Sequence, residues 1–205
     1  MDYLERYLKE KAGNPELGLS NARLFEQSYA DKLGRNFDWS SGVGKLLISI
    51  FGNSHSLSDC LIADSAIADE IASDKFMRDT KPRETMAVEL GNLLNEVEPD
   101  DLAKQQHILR RYRHSELIRI VARDFSQLAS TEEILREWSA CANALIDAAY
   151  IKAREYQDAK HGQFCPGTVI ALGKLGADEL NYSSDVDLIF LYASDDPGDS
   201  IDITP

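Results

Sequence analysis

The sequence predicts a mostly α protein, with a helical domain over 1–162 followed by the start of a mixed α/β domain over 163–205. Three observations carry this. Apolar residues recur at helical spacing from Asp2 to about Lys160. The character changes at Cys165-Pro166-Gly167. Beyond that point two short apolar runs, Thr168 to Leu172 and Asp187 to Tyr192, are rich in β-branched and aromatic residues and read as strands.

The helices follow in order. Asp2 to Lys11 is short and amphipathic and is stopped by Gly13-Asn14-Pro15. Ser20 is the candidate cap of the next helix, which carries Leu24, Phe25, Tyr29 and Leu33 on one stripe and ends at Gly34. Leu46 to Phe51 is apolar and ends at Gly52-Asn53. Leu57, Leu61, Ile62, Ala66 and Ile71 predict one further helix with Asp59, Asp64 and Asp69 facing out. Glu84 to Val97 is bounded by Pro82 and Pro99, and a long helix runs from Asp100 to Phe125. Ser130-Thr131-Glu132-Glu133 has the spacing of a capping box, and the helix it opens runs to about Lys160, before Gly162.

Composition narrows the functional classes. There are 35 acidic and 22 basic side chains, a net charge of −13. That balance disfavours nucleic acid and anionic membranes as partners, because phosphate contacts need clustered cations. Cys60, Cys141 and Cys165 are odd in number and show neither a zinc spacing nor a disulfide framework. Acidic residues follow Met1 closely, so no signal peptide is visible, and no apolar run is long enough to span a membrane. A reducing cytoplasm is the expected location.

The chemistry concentrates between the two strands. Gly173-Lys174-Leu175-Gly176 follows the first, and Asp185-Val186-Asp187 opens the second. Alternation along an extended chain directs Asp185 and Asp187 to one side. Two adjacent carboxylates repel, and a divalent cation between them relieves that repulsion. Oxygen ligands beside a phosphate-friendly glycine turn suit Mg²⁺. Gly173 and Gly176 let backbone N–H groups approach phosphate oxygens, and Lys174 adds positive charge. The residues alone therefore predict a metal-dependent site for transferring or cleaving nucleotide phosphates. Asp185 and Asp187 are the candidate catalytic and metal-binding residues; Gly173, Lys174, Gly176 and Ser184 are the candidate nucleotide- and phosphate-binding residues.

This motif resembles the signature of the nucleotidyltransferase superfamily, a hydrophobic residue before a glycine turn, a spacer, then Asp-x-Asp before an apolar strand. Its wording, with Glu179-Leu180-Asn181 and Ser183-Ser184-Asp185-Val186-Asp187-Leu188-Ile189-Phe190, is similar to the glutamine synthetase adenylyltransferases. A weaker likeness runs upstream through Leu109-Arg110-Arg111-Tyr112-Arg113, Glu116-Leu117-Ile118-Arg119-Ile120 and Ala122-Arg123-Asp124. The resemblance implies a polymerase-β-like nucleotidyltransferase domain, of which 163–205 would be the beginning, with a third carboxylate on a later strand. The chain is thus expected to be part of a longer protein and inactive by itself. Where the superfamily usually has Ser, this chain has Lys174, and Ser184 is the nearby hydroxyl.

Within that family, one helical domain ahead of the motif fits the N-terminal, adenylyl-removing half. The implied reaction is Mg²⁺-dependent phosphorolysis of AMP–tyrosine on glutamine synthetase, giving ADP, with two ions in the complete domain. Implied partners are glutamine synthetase, a PII signal protein, ATP or ADP and phosphate, with glutamine as an effector. The alternatives are a uridylyltransferase-like enzyme and a non-catalytic helical interaction module.

Other features have plainer readings. Gly42-Val43-Gly44-Lys45 imitates a phosphate loop, but Trp39 and Leu46 stand where that loop needs Gly and Ser or Thr. Arg110, Arg111, Arg113, His114, Arg119 and Arg123 read as a solvated or docking face, with some facing the nucleotide pocket or the acidic 178–202 segment as a middle option. His55, His107, His114 and His161 lack ligand spacing. Glu179 and Asn181 read as ties for the connecting loop.

Overall fold

A computed structural model describes residues 3–162 and 166–193. Cys165 and the acidic stretch from 194 onward lie outside the described residues. The order is α1 (Tyr3–Lys11), α2 (Pro15–Leu33), α3 (Gly42–Phe51), α4 (His55–Ala63), α5 (Ile67–Ser73), a 3₁₀ turn (Lys75–Met77), α6 (Arg83–Asn95), α7 (Leu102–Phe125) and α8 (Thr131–His161). Then come β1 (Gly167–Ala171), the single turn α9 (Gly173–Gly176) and β2 (Leu188–Tyr192). The mostly α expectation is met, and both strands fall within one residue of their predicted bounds.

Local chemistry explains the boundaries. The Asn14 side chain accepts from the Leu17 N–H at 3.1 Å, and Pro15 opens α2. Ser20 is therefore not the cap; it lies inside the helix, because Asn14-Pro15 supplies a better start. Ser41 caps α3, its Oγ accepting from Gly44 N–H at 3.0 Å. The expected capping box is present: Ser130 Oγ accepts from Glu133 N–H while the Glu133 carboxylate accepts from Ser130 N–H.

The single helix predicted from Leu57 to Ile71 is two helices, broken at Asp64-Ser65-Ala66. Neighbouring side chains stabilise the break. The Ser28 hydroxyl donates to the Ile62 carbonyl at 2.7 Å and Lys32 Nζ to the Ala63 carbonyl at 2.5 Å. Both carbonyls would otherwise lose their helical partners unsatisfied. Apolar periodicity cannot report partners supplied by another helix.

The helices share one core. Phe25, Tyr29, Phe37, Trp39 and Phe51 form an aromatic centre under α2 and α3, with Phe25 and Phe37 edge to face at 5.0 Å. Ile118, Ile120, Val121, Ile134 and Trp138 extend it through α7 and α8. Leu175 and Leu180, from the segment between the strands, belong to the same core, each only 2% exposed. The strands pair antiparallel, Gly167 opposite Tyr192 and Ala171 opposite Leu188. No helix among the described residues is long and apolar enough to cross a membrane.

Arg119 and Arg123 correct the solvated-face reading. Each is 1% exposed. Arg119 pairs with Glu116 at 2.7 Å and with Glu137 at 2.7 Å, and Arg123 pairs with the other oxygen of Glu137. Lys81 joins through Glu116 at 2.6 Å and Asp74 at 3.0 Å. Burial pulls the Lys81 ammonium down, but Glu116 and Asp74 hold it above its ordinary value. Arg111 is tied at the surface to Asp64 and Glu70.

Candidate functional site

The segment between β1 and β2 is held from both ends. The Leu172 N–H donates to the Asp187 carbonyl at 2.9 Å, continuing the strand ladder one step past β1. The aspartates thus stand in the extended lead-in to β2, which itself starts at Leu188. Gly173 has φ +56, a left-handed conformation that favours glycine. A β-carbon there would lie 3.8 Å from Asp187 Oδ2, so this carboxylate sits against the glycine turn. The sequence pattern is realised here: Gly173 and Asp187 are brought together.

Lys174 and Ser184 also meet, with Nζ 3.4 Å from Oγ. The Ser184 hydroxyl donates to the Asn181 side-chain oxygen, and its N–H donates to the Asn181 carbonyl at 3.1 Å. Asn181 thus ties the loop, as expected. Gly176 allows close approach: its N–H goes to the Leu172 carbonyl at 3.1 Å, and a β-carbon would stand 2.5 Å from the Ala171 carbonyl oxygen. Its part is to hold α9 tight against β1, since its own donor is committed.

Two further anchors carry no signal in the motif itself. The Leu180 N–H donates to Ser139 Oγ at 2.9 Å, and that hydroxyl donates in turn to the Leu135 carbonyl at 2.8 Å. Tyr182 OH donates to Asp124 Oδ2 at 2.9 Å. Burial, then the bond to Asp124, raises the Tyr182 hydroxyl far above its ordinary value. α7 and α8 therefore fix the loop that delivers Asp185. Asp124 and Ser139 stand on other helices, far from the motif in the chain, so no local pattern pointed to them.

Beside the motif lies a cleft of about 230 Å³, bordered by Ser184, Asp185 and Val186 on one side and by Arg113 and Trp138 on the other. The Arg113 guanidinium lies over the Trp138 ring, 5.5 Å from its centroid. Of the middle option for the basic helix, the part that is met is the acidic segment: Arg113 shares this cleft with Ser184, Asp185 and Val186. A larger cavity, about 470 Å³, is lined by Lys81, Tyr112 and Glu116. It holds none of the motif residues, so chemistry and not volume decides which hollow matters.

The donor set is compatible with Mg²⁺. Asp185 and Asp187 are exposed, and neither carboxylate is paired with a cation among the described residues. Hard oxygen donors left uncompensated suit a hard divalent ion. No group of three His, Cys, Asp or Glu side chains that could hold a metal stands together among the described residues.

Comparison with known proteins follows the same line. Curated bifunctional glutamine synthetase adenylyltransferase/adenylyl-removing enzymes are similar to it. That of Shewanella woodyi is 40% identical over 111 residues, 51% of this chain and 11% of the relative. That of Nitrosococcus oceani is 37% identical over 116 residues, and that of Neisseria meningitidis serogroup B 36% over 97 residues. The matched part of the chain thus spans about 11% of the length of these relatives. A family model for glutamate-ammonia ligase adenylyltransferase matches residues 44–202, well over half of the chain, and the chain belongs to that family.

Proposed function

We propose that the chain supplies the glycine turn and the first two carboxylates of a Mg²⁺-dependent nucleotidyl-transfer site acting on adenylylated glutamine synthetase. The observation that carries this is the contact of Gly173 with Asp187, which joins the phosphate turn to the metal-ligand pair. Of the two activities named for the relatives, removal of AMP is the one we read for this motif.

In the reaction, an oxygen of inorganic phosphate attacks the phosphorus of AMP. The bond from that phosphorus to the tyrosyl oxygen breaks, ADP leaves, and the tyrosyl oxygen regains a proton. Asp185 and Asp187 would hold Mg²⁺, which when bound neutralises charge on the phosphate oxygens. Lys174, placed by Ser184, adds a positive charge beside the turn. Gly173 keeps the wall beside Asp187 free of a side chain. Tyr182 and Ser139 hold the loop against α7 and α8, so the carboxylates are positioned before substrate arrives. A PII protein and glutamine are proposed as regulators by family membership.

The test is ADP release from adenylylated glutamine synthetase with phosphate and Mg²⁺. The protein assayed should carry these residues together with a further carboxylate-bearing strand. Asp185→Asn or Asp187→Asn should each lower the rate roughly a thousand-fold, the effect of several kcal/mol of lost transition-state stabilisation. Unchanged rates would overturn the metal-ligand assignment. UMP release from a uridylylated protein would favour the uridylyltransferase-like alternative.

A further inference from the structure

The cleft beside Asp185 has a chemistry that phosphate binding does not explain. Its walls are mainly apolar, with Trp138, Ala142 and Leu145 on one stripe of α8 and Val186 lining the same cleft. A phosphate there would meet Arg113 but would lose solvation against the apolar walls and stand beside the like-charged Asp185. Arg113 is unusual for an exposed arginine: its guanidinium makes no ion pair among the described residues and lies 5.5 Å from the centroid of an indole that is 3% exposed. A guanidinium is planar and delocalised, so one with no carboxylate partner can stack on a second flat ring. Asp185 stands at the same cleft, so a ring seated there lies next to the candidate metal ligands.

We propose that this cleft receives a planar aromatic ring of the adenylylated substrate, held between the Arg113 face and the apolar wall of α8. The proposal rests on the function proposed above, because that substrate carries two such rings joined through one phosphate: the purine of AMP and the tyrosyl ring that bears it. An apolar hollow with a few directed polar groups is the usual form of a small-ring site. The cleft volume of about 230 Å³ suits one ring and not a whole nucleotide. Arg113 would then be a binding residue of the nucleotidyl-transfer site, and Trp138 the residue that positions it.

The probe is the indole N–H resonance of Trp138 in the 205-residue chain, with Trp39, remote in the aromatic core, as internal control. ADP, N-acetyltyrosinamide and ribose 5-phosphate are titrated separately without Mg²⁺. A Trp138 shift with ADP identifies the purine; one with N-acetyltyrosinamide identifies the tyrosyl ring. Ala142→Leu, which fills the cleft without touching a polar group, should abolish the shift, and Arg113→Ala should weaken binding about tenfold. An equal shift with ribose 5-phosphate would mean a plain anion site and overturn the proposal. So would no shift with either ring, or a shift that survives Ala142→Leu in a protein whose thermal melt is unchanged. Asp187→Asn separates the two readings: loss of ADP release in the longer protein with an intact Trp138 signal in the 205-residue chain concerns the metal ligands alone, whereas a missing Trp138 signal beside undiminished ADP release in the longer protein concerns the cleft alone.

Discussion

Two regions of this molecule handle charge in opposite ways. Under α6, α7 and α8, Lys81, Arg119 and Arg123 are buried and matched by Glu116, Glu137 and Asp74. At the lead-in to β2, Asp185 and Asp187 are exposed and have no cation among the described residues. The first arrangement removes charge from water and must match it on the spot, since an isolated buried ion costs several kcal/mol. The second leaves charge in water unmatched, which costs little there and leaves the carboxylates free to bind something else. The same side-chain types thus hold the scaffold together in one place and form the candidate site in the other.

The contrast can be broken most severely at Glu137. Its two oxygens serve Arg119 and Arg123, and Arg123 Nε already lacks a partner. Glu137→Ala should destabilise by about 3–5 kcal/mol, because buried Arg123 loses its carboxylate partner and buried Arg119 is left with Glu116. Denaturant unfolding would check it; a loss under 1 kcal/mol, the level of an exposed pair, would erase the distinction.

Ser139→Ala comes next. The buried Leu180 N–H would lose its acceptor, at a cost of about 1–3 kcal/mol, and hydrogen exchange at Leu180 should rise. Tyr182→Phe removes only a partly buried bond to Asp124, worth about 1 kcal/mol, but it should also lower the rate of AMP removal by loosening the loop. Asp187→Asn closes the comparison: it should leave the melting temperature unchanged or slightly higher, because like-charge repulsion is relieved. A clear drop would show that this carboxylate is structural.

The smallest expected effect is on acid stability. Burial, then Arg113 and Arg110, holds His114 below its ordinary value of 6.5. The folded state therefore favours the neutral ring. Its contribution is complete above 6.5 and falls as pH drops through the lower folded value. His114→Gln should flatten the stability profile on that acid side, measured by melting at several pH values.

Much of this was legible in the sequence, for local reasons. The capping box, the stops at Gly34 and Gly162 and the two strands depend on neighbours in the chain, so their patterns carried the answer. The meeting of Gly173 with Asp187 followed from a motif whose parts are only fourteen positions apart. What stayed hidden depends on distant partners. Arg119 and Arg123 looked solvated because their match, Glu137, stands on another helix, although Leu117, Ile118, Ile120 and Val121 around Arg119 left little polar face. The break at Asp64 depends on Ser28 and Lys32, and the loop anchors on Asp124 and Ser139. None of these pairs has a spacing that periodicity can detect.

One helix turn concentrates consequences for how such a chain can vary. Glu137, Trp138 and Ser139 are consecutive in α8, and each faces a different duty: ion cluster, cleft wall, loop anchor. A helix advances about 100° per residue, so one inserted or deleted residue between the Ser130 cap and Glu137 would swing all three away together. Substitutions in that stretch can be absorbed one at a time, whereas a change in its length cannot. The six residues from Thr131 to Arg136 therefore act as a ruler, and natural variants should differ there in spelling but not in count.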